Sequence, residues 1–185
     1  MIAVFLDRDG TIGGTGGGVH PNDFKLFPQS AKAIRLLNQA GILVFLFTNQ
    51  SRVGRGYFLE EDLIKGFREM ESELAESNAF FDEIYYCPHS PIDKCECQKP
   101  NIGLLLQAKE EHGLDLKRSY VVGDTGESDM LAADRVGMKK VLVETGWGRS
   151  SLTTFRATWS EVEPDFIAPE IREAVNWILQ DKFSE

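Results

Sequence analysis

Two aspartates, Asp7 and Asp9, stand two positions apart behind the apolar run Ile2 to Leu6, in the string Asp7-Arg8-Asp9-Gly10-Thr11. Carboxylates that close repel, and one takes up a proton unless a cation lies between them. Mg²⁺, a hard ion that prefers oxygen ligands, removes that cost. A carboxylate so placed can attack phosphorus and form an aspartyl-phosphate. Its neighbour can protonate the leaving oxygen and later activate water. A plain aspartate-rich turn accounts for the same pair equally well, so the pair alone decides nothing.

Other polar groups follow other apolar runs. Thr48-Asn49-Gln50 comes after Ile42 to Phe47, and a hydroxyl and an amide there can hold a phosphoryl oxygen without adding charge, though a polar loop start is the ordinary alternative. Gly123-Asp124 comes after Ser119 to Val122, which places Asp124 to complete a magnesium site. Asp129, five positions on, reads either as a carboxylate behind the metal ligands or as a favourable charge at a helix N-terminus. Lys99, just before Pro100, can screen the carboxylates and bind a transferring phosphoryl group; an exposed surface lysine is the ordinary alternative. Cys87, His89, Cys95 and Cys97 lie within eleven residues and supply a Cys₃His set suited to tetrahedral zinc. The set leaves no position for water, so a structural zinc site is expected, against the alternative of reduced thiols and an unrelated histidine.

The elements that must position these groups alternate between short apolar runs and amphipathic helices. Strands are expected at Ile2 to Leu6, Ile42 to Phe47, Glu83 to Tyr86, Ser119 to Val122, Lys140 to Val143 and near Phe166. Helices are expected at Ser30 to Ala40 with Ser30 as cap, Leu59 to Glu76, Ile102 to His112, Asp129 to Val136, and Pro169 to Gln180 with Pro169 in the first turn. Gly13 to Gly18 reads as a loop. The alternation is the signature of an α/β fold with a parallel sheet, whose ligands bind beyond the carboxyl ends of the strands. The segment Gly148 to Asp165 is polar and yields no assignment; Trp147, Trp159 and Trp177 read as packing residues.

Composition bounds the partners. The 185 residues suit one domain, 1–185, and carry a net charge of −9, from 29 acidic against 20 basic side chains, with no basic cluster. Nucleic acid and anionic membranes are therefore not expected partners. The longest apolar run is too short to cross a bilayer, and charges interrupt the N-terminal one too early for a signal peptide. The expectation is a cytoplasmic monomer acting on a small phosphorylated metabolite. An odd number of cysteines, three, argues for metal or free thiols over a disulfide framework.

Taken together, Asp7-Arg8-Asp9-Gly10-Thr11, Thr48, Lys99 and Gly123-Asp124 with Asp129 resemble, in order and strand context, the four-motif signature of the haloacid dehalogenase superfamily. The resemblance implies a Rossmann-like three-layer sandwich and phosphoryl transfer through Asp7, with Asp9 as acid/base and Thr48 and Lys99 as phosphate ligands. It further implies Mg²⁺ on Asp7, Asp124 and the backbone carbonyl of Asp9. The cysteine–histidine loop is similar to that of subfamily IIIA phosphatases, the heptose 1,7-bisphosphate and histidinol-phosphate groups. The stretches around Thr48 to Ser51, Arg55-Gly56, Tyr85 to His89 and Leu142 to Gly146 look closer to the heptose group. Three departures stand out: a short Cys87 to Cys95 segment, Gln98 where both groups usually have arginine, and one extra residue between Asp124 and Asp129.

No gap in the chain is free to hold a cap domain, so an open site is expected, walled by Gly13 to His20, Ser51 to Phe58 and His89 to Gln98. Asn49, Arg55 and Gln98 are the candidate substrate contacts, with Arg55 favoured over Arg52 for a second anionic group. The expected activity is a Mg²⁺-dependent phosphomonoesterase for a sugar phosphate such as a heptose bisphosphate. Histidinol phosphate, a broad substrate range and a zinc-stabilised module without catalysis are the alternatives.

Overall fold

The computed structural model describes residues 1–182, so the last three residues of the expected 1–185 unit lie outside the described residues. Six parallel strands form one sheet in the order β3-β2-β1-β4-β5-β6: β1 (Ala3–Leu6), β2 (Leu43–Asn49), β3 (Glu83–Cys87), β4 (Tyr120–Gly123), β5 (Lys139–Val143) and β6 (Phe166–Ala168). Side chains of alternate strand residues point to opposite faces, and both faces are covered, which is why the central strands are apolar throughout. Val4, Leu6, Val44, Leu46 and Val122 face one side, where they meet helices α1 (Ser30–Gln39), α3 (Glu60–Glu76) and α7 (Ile171–Lys182). Ala3, Phe5, Phe45, Phe47 and Val121 face the other, against α4 (Gly103–His112) and α5 (Leu131–Arg135). The result is the Rossmann-like, three-layer α/β sandwich expected from the sequence.

Several boundaries differ from expectation for physical reasons. Ser30 does not cap α1; it is the first helical residue, and its hydroxyl donates to the Ile12 carbonyl at 2.7 Å, with Gln29 at the cap. Leu59 precedes the first turn of α3 and is exposed, while Leu63, Phe67, Met70 and Leu74 form the buried face. The Asp62 carboxylate accepts from the Leu59 N–H at 3.1 Å and closes that end. Pro169 lies two residues ahead of α7. The helix expected at Asp129 is preceded by a π-turn, Gly126–Met130, so Asp129 sits within that wider turn and not at a regular helix start.

The unassigned stretch after β5 also has structure. Helix α6 (Gly148–Leu152) and a 3₁₀ turn, Arg156–Trp159, fold back on the π-turn through Met130, Leu142, Trp159 and Val162. A further short helix, α2 (Ser51–Gly54), follows β2 directly.

Candidate active site

Strand order reverses between β1 and β4, and that reversal opens a crevice beyond their carboxyl ends. Asp7 leaves β1 and Asp124 leaves β4 on its two sides, joined by the Asp7 N–H to Val122 carbonyl hydrogen bond of 2.9 Å. One carboxylate oxygen from each of Asp7, Asp124 and Asp129 lies within 4.8 Å of the other two. Lys99 reaches into this group from the loop before α4; its Nζ donates to Asp7 Oδ1 at 2.8 Å, to Asp129 Oδ1 at 2.6 Å and to the Phe47 carbonyl at 2.8 Å. The exposed-surface alternative for Lys99 is excluded, since its side chain is buried.

The charges do not balance within the protein. Three buried carboxylates face one ammonium. Burial, assisted by the Asp129 and Asp9 charges and opposed by Lys99, pushes Asp7 up to about 7. Burial and the facing Asp7 and Asp129 charges push Asp124 up to about 8. Burial works against the charge of Lys99, but Asp129 and Asp7 more than offset it and hold Lys99 above its ordinary value. A divalent cation restores the balance, and an all-oxygen donor set suits Mg²⁺. Asp7 and Asp124 fit that ion. Asp129 joins the same cluster and is also the counter-ion of Lys99, while its second oxygen accepts from the Thr125 N–H at 3.1 Å.

Asp124 is held in a closely fitted recess. Its Oδ2 accepts from the Trp147 N–H at 2.8 Å and its Oδ1 from the Thr125 hydroxyl at 3.0 Å. Gly10 and Gly146 both take positive φ, +91° and +56°, and a Cβ on either would collide with Asp124 Oδ2. The Thr145 hydroxyl donates to the Gly10 carbonyl at 2.6 Å, tying the loop after β5 to the loop after β1.

The side chain of Asp9 turns away from the three-carboxylate group. Its oxygens accept from Arg8 Nε at 2.9 Å, Arg8 Nη2 at 3.1 Å and Gln50 Nε2 at 3.0 Å. Any metal contact from Asp9 therefore falls to its backbone. Arg8 is 1% exposed and its guanidinium lies 4.7 Å from the Phe24 ring centre. Thr48 is buried; its hydroxyl accepts from Gln50 Nε2 at 2.9 Å and does not line the cavity. Asn49 lines the cavity, but its amide is engaged by backbone: Oδ1 accepts from the Lys99 N–H at 2.9 Å and Nδ2 donates to the Lys99 carbonyl at 3.1 Å. Gln98 lies outside the lining.

The cysteine–histidine group is assembled. Cys97 Sγ lies 3.0 Å from Cys87 Sγ, 3.4 Å from Cys95 Sγ and 3.1 Å from His89 Nδ1, and no disulfide joins the cysteines. Four ligand atoms within 4.8 Å of one another around one centre fit a tetrahedral zinc ion, with His89 presenting Nδ1. Cys87 closes β3; the other three ligands come from the loop after it.

Asp7, Asp9, Asn49, Lys99, Asp124 and Asp129 line one cavity of about 320 Å³. Gly16 and Gly18 form one wall, and Arg52 and Arg55 also line it, both from the segment around α2. Arg52 therefore stands with Arg55 at the site, where the sequence favoured Arg55 alone.

Comparison with known proteins agrees with this architecture. The HAD-hydrolase-like family model matches residues 96–174. A D-glycero-β-D-manno-heptose-1,7-bisphosphate 7-phosphatase from Haemophilus ducreyi is 44% identical over 153 residues, covering 78% of this chain and 84% of that protein. The chain belongs to the haloacid dehalogenase-like hydrolases, and it is a phosphatase. The likeness to this phosphatase extends over nearly all of the chain: the protein of the same description from Escherichia coli is 37% identical, over 96% of this chain and 87% of its own. A solved D,D-heptose 1,7-bisphosphate phosphatase from B. bronchiseptica, complexed with magnesium and phosphate, superposes with a TM-score of 0.89 at 32% identity, covering 98% of this chain and 99% of that one.

Three polar residues of this phosphatase escaped the sequence reading, Arg8, Thr125 and Ser128, and Gln50, read as part of a phosphoryl-binding strand end, instead serves Asp9. Arg8 and Gln50 grip Asp9, Thr125 holds Asp124 and Asp129, and Ser128 lines the cavity. Arg8 carried a signal, a charged residue inside a string that has just left a buried strand, but nothing in one sequence says which way it points.

Proposed function

We propose that the chain is a Mg²⁺-dependent phosphomonoesterase acting on D-glycero-D-manno-heptose 1,7-bisphosphate, the substrate in the names of its relatives. The observation that carries this reading is the pairing of opposite chemistries in one cavity: a carboxylate group that requires a cation, and two guanidiniums, Arg52 and Arg55. A bisphosphate has one phosphoryl group for each end. With Gln98 outside the lining, the arginines are the candidates for the phosphate that stays.

In this reading Asp7 attacks the phosphorus, the ester P–O bond breaks, and Asp9 supplies the proton to the leaving oxygen. Asp9 then takes a proton from water, which attacks phospho-Asp7 and releases phosphate. Asp7, Asp124 and the Asp9 carbonyl would hold Mg²⁺, which would supply charge neutralisation at the phosphoryl oxygens. Lys99 holds Asp7 in line and stabilises the charge of the phosphoryl group, while Asn49 fixes the Lys99 backbone. The chain is read as an uncapped, single-domain cytoplasmic monomer that takes a free metabolite; the net charge of −9 disfavours a polyanionic partner, and no helix among the described residues is long and apolar enough to cross a membrane.

The test is phosphate release, with and without Mg²⁺, from both anomers of heptose 1,7-bisphosphate, histidinol phosphate, sugar monophosphates and nucleotides. The heptose bisphosphate should lead, and exchanging Arg52 and Arg55 for glutamine should erase its advantage over monophosphates. Histidinol phosphate in the lead would replace this substrate; no Mg²⁺-dependent release from any compound would remove the reaction.

A further inference from the structure

A second cavity of about 320 Å³ adjoins the first and is lined by Gly16, Thr125, Glu127, Trp147, Ser151 and Phe155. Gly16 and Thr125 line both. Its far wall is built by the segment after β5 that the proposed reaction does not use. Buried Trp159 anchors that segment, donating from Nε1 to the Ser151 carbonyl at 3.0 Å, and Ser151 in turn donates to the Asp124 carbonyl at 3.0 Å. With the segment fixed from behind, two large rings face outward: Trp147 is 46% and Phe155 43% exposed, meeting edge to face at 6.5 Å. The Trp147 backbone holds Asp124, so this aromatic shelf is rigidly registered on the metal group.

The two cavities differ in charge. The first offers Arg52, Arg55 and Lys99. The second offers no cation and a single ionisable group, Glu127. A phosphate that stays on the substrate is therefore drawn to the first and repelled from the second. A flat, uncharged group gains burial and ring stacking in the second. The Gly16-to-Gly18 strip lies between the two arms, since a Cβ on Gly16 would press on the Trp147 ring and one on Gly18 on Arg52 Nε. A leaving group large enough to extend from a phosphoryl at Asp7 therefore meets two chemically different walls.

We infer that the second cavity is a leaving-group subsite for monophosphate esters whose leaving group is uncharged and flat, seated against Trp147 and Phe155. The inference deepens the proposed reaction and rests on it. Such a substrate is hydrolysed by the same steps as the bisphosphate and differs only in the arm its leaving group occupies.

The experiment crosses variants with three substrates at saturating Mg²⁺: 4-nitrophenyl phosphate for the aromatic arm, heptose 1,7-bisphosphate for the arginine arm, and acetyl phosphate, which reaches neither. Phe155→Ala should raise the KM for 4-nitrophenyl phosphate about three- to tenfold, the range of one aromatic contact, and leave kcat unchanged. KM for the other two should stay within about twofold on the same scale. Phe155→Trp should restore the first value, and Trp147→Leu should reproduce the loss with the backbone donor to Asp124 intact. Arg55→Gln should show the opposite pattern, raising KM for the bisphosphate alone. Equal changes for all three substrates, or none for 4-nitrophenyl phosphate, overturn the subsite while the phosphatase reading stands. Wild-type protein that releases phosphate from none of them overturns both.

Discussion

Withdrawing Mg²⁺ should make the stability of this phosphatase fall with rising pH, and the sign follows from the direction of two shifts. Burial, with the Asp129 and Asp9 charges adding and Lys99 opposing, raises Asp7 from 3.8 to about 7, and burial with the Asp7 and Asp129 charges raises Asp124 from 3.8 to about 8. A carboxyl raised in the folded state favours folding while it stays protonated. Its contribution is complete below about pH 4 and is lost as pH climbs through 7 to 8. The Asp7 shift, at 1.36 kcal/mol per unit, corresponds to about 4 kcal/mol. With Mg²⁺ bound, both carboxylates are ionised across this range and the slope disappears. Cation binding at pH 7 must then displace about one proton per chain. Urea unfolding from pH 5 to 8, with and without added Mg²⁺, reads the first effect. Titration calorimetry in two buffers of different ionisation enthalpy reads the second. Simple omission of Mg²⁺ is the right perturbation, because a strong chelator also reaches the zinc loop. Parallel pH profiles with no proton release would mean that Asp7 and Asp124 are ionised without a cation, and the charge argument would be refuted.

Asp7→Asn should lower phosphate release at least about a thousandfold, as loss of a covalent nucleophile does, while circular dichroism still reports the native fold; turnover close to wild type would remove Asp7 from the attacking role. Gly10→Ala places a Cβ against Asp124 at φ +91°, and should cost about 2–3 kcal/mol of stability with a large loss of Mg²⁺ affinity; an unchanged melting temperature and Mg²⁺ dependence would show that the recess around Asp124 is loose. Elemental analysis should find about one zinc per chain, and a zinc chelator should lower the melting temperature; protein free of zinc that melts normally would make the four ligands an idle cluster.

The sheet was legible because parallel strands buried on both faces read as short apolar runs, and six of them alternate with helical patterns. The carboxylates were legible for a related reason: a charge directly after a buried strand has few places to go except the crevice beyond it. Three kinds of information were hidden. The direction of a long side chain is one: Arg8 is buried against Asp9, Gln50 and Phe24, and its neighbours come from three separate segments. The use of an amide is another, since Asn49 reads as a substrate contact yet spends both ends of its side chain on the Lys99 backbone. The third is a polar segment held by a few buried anchors. Trp159 fixes the stretch after β5, but with so few apolar residues around it no period of 3.6 emerges, and Trp147 looked like packing although its ring is largely open.

The two metal regions meet at Lys99, which explains why a structural zinc loop belongs in this site at all. An ammonium at the end of a flexible four-carbon stem holds Asp7 in line only if its backbone is fixed. Cys97 lies two residues ahead of Lys99, and Cys87 pairs in register with Asn49 across β2 and β3. The Gln50 N–H donates to the Cys87 carbonyl at 2.8 Å, and the Asn49 side chain bonds both the backbone N–H and the backbone carbonyl of Lys99. Drawing Cys87 and Cys97 onto one centre therefore fixes both ends of the loop that delivers the ammonium, and Asn49 locks the last step. The loop has little apolar content of its own, so without such a tether its ordering entropy would fall on the three bonds of the Lys99 ammonium. Zinc on the cysteine–histidine group and Mg²⁺ on Asp7 and Asp124 would thus both bear on Lys99, the first by placing its backbone and the second by leaving Asp129 as its counter-ion.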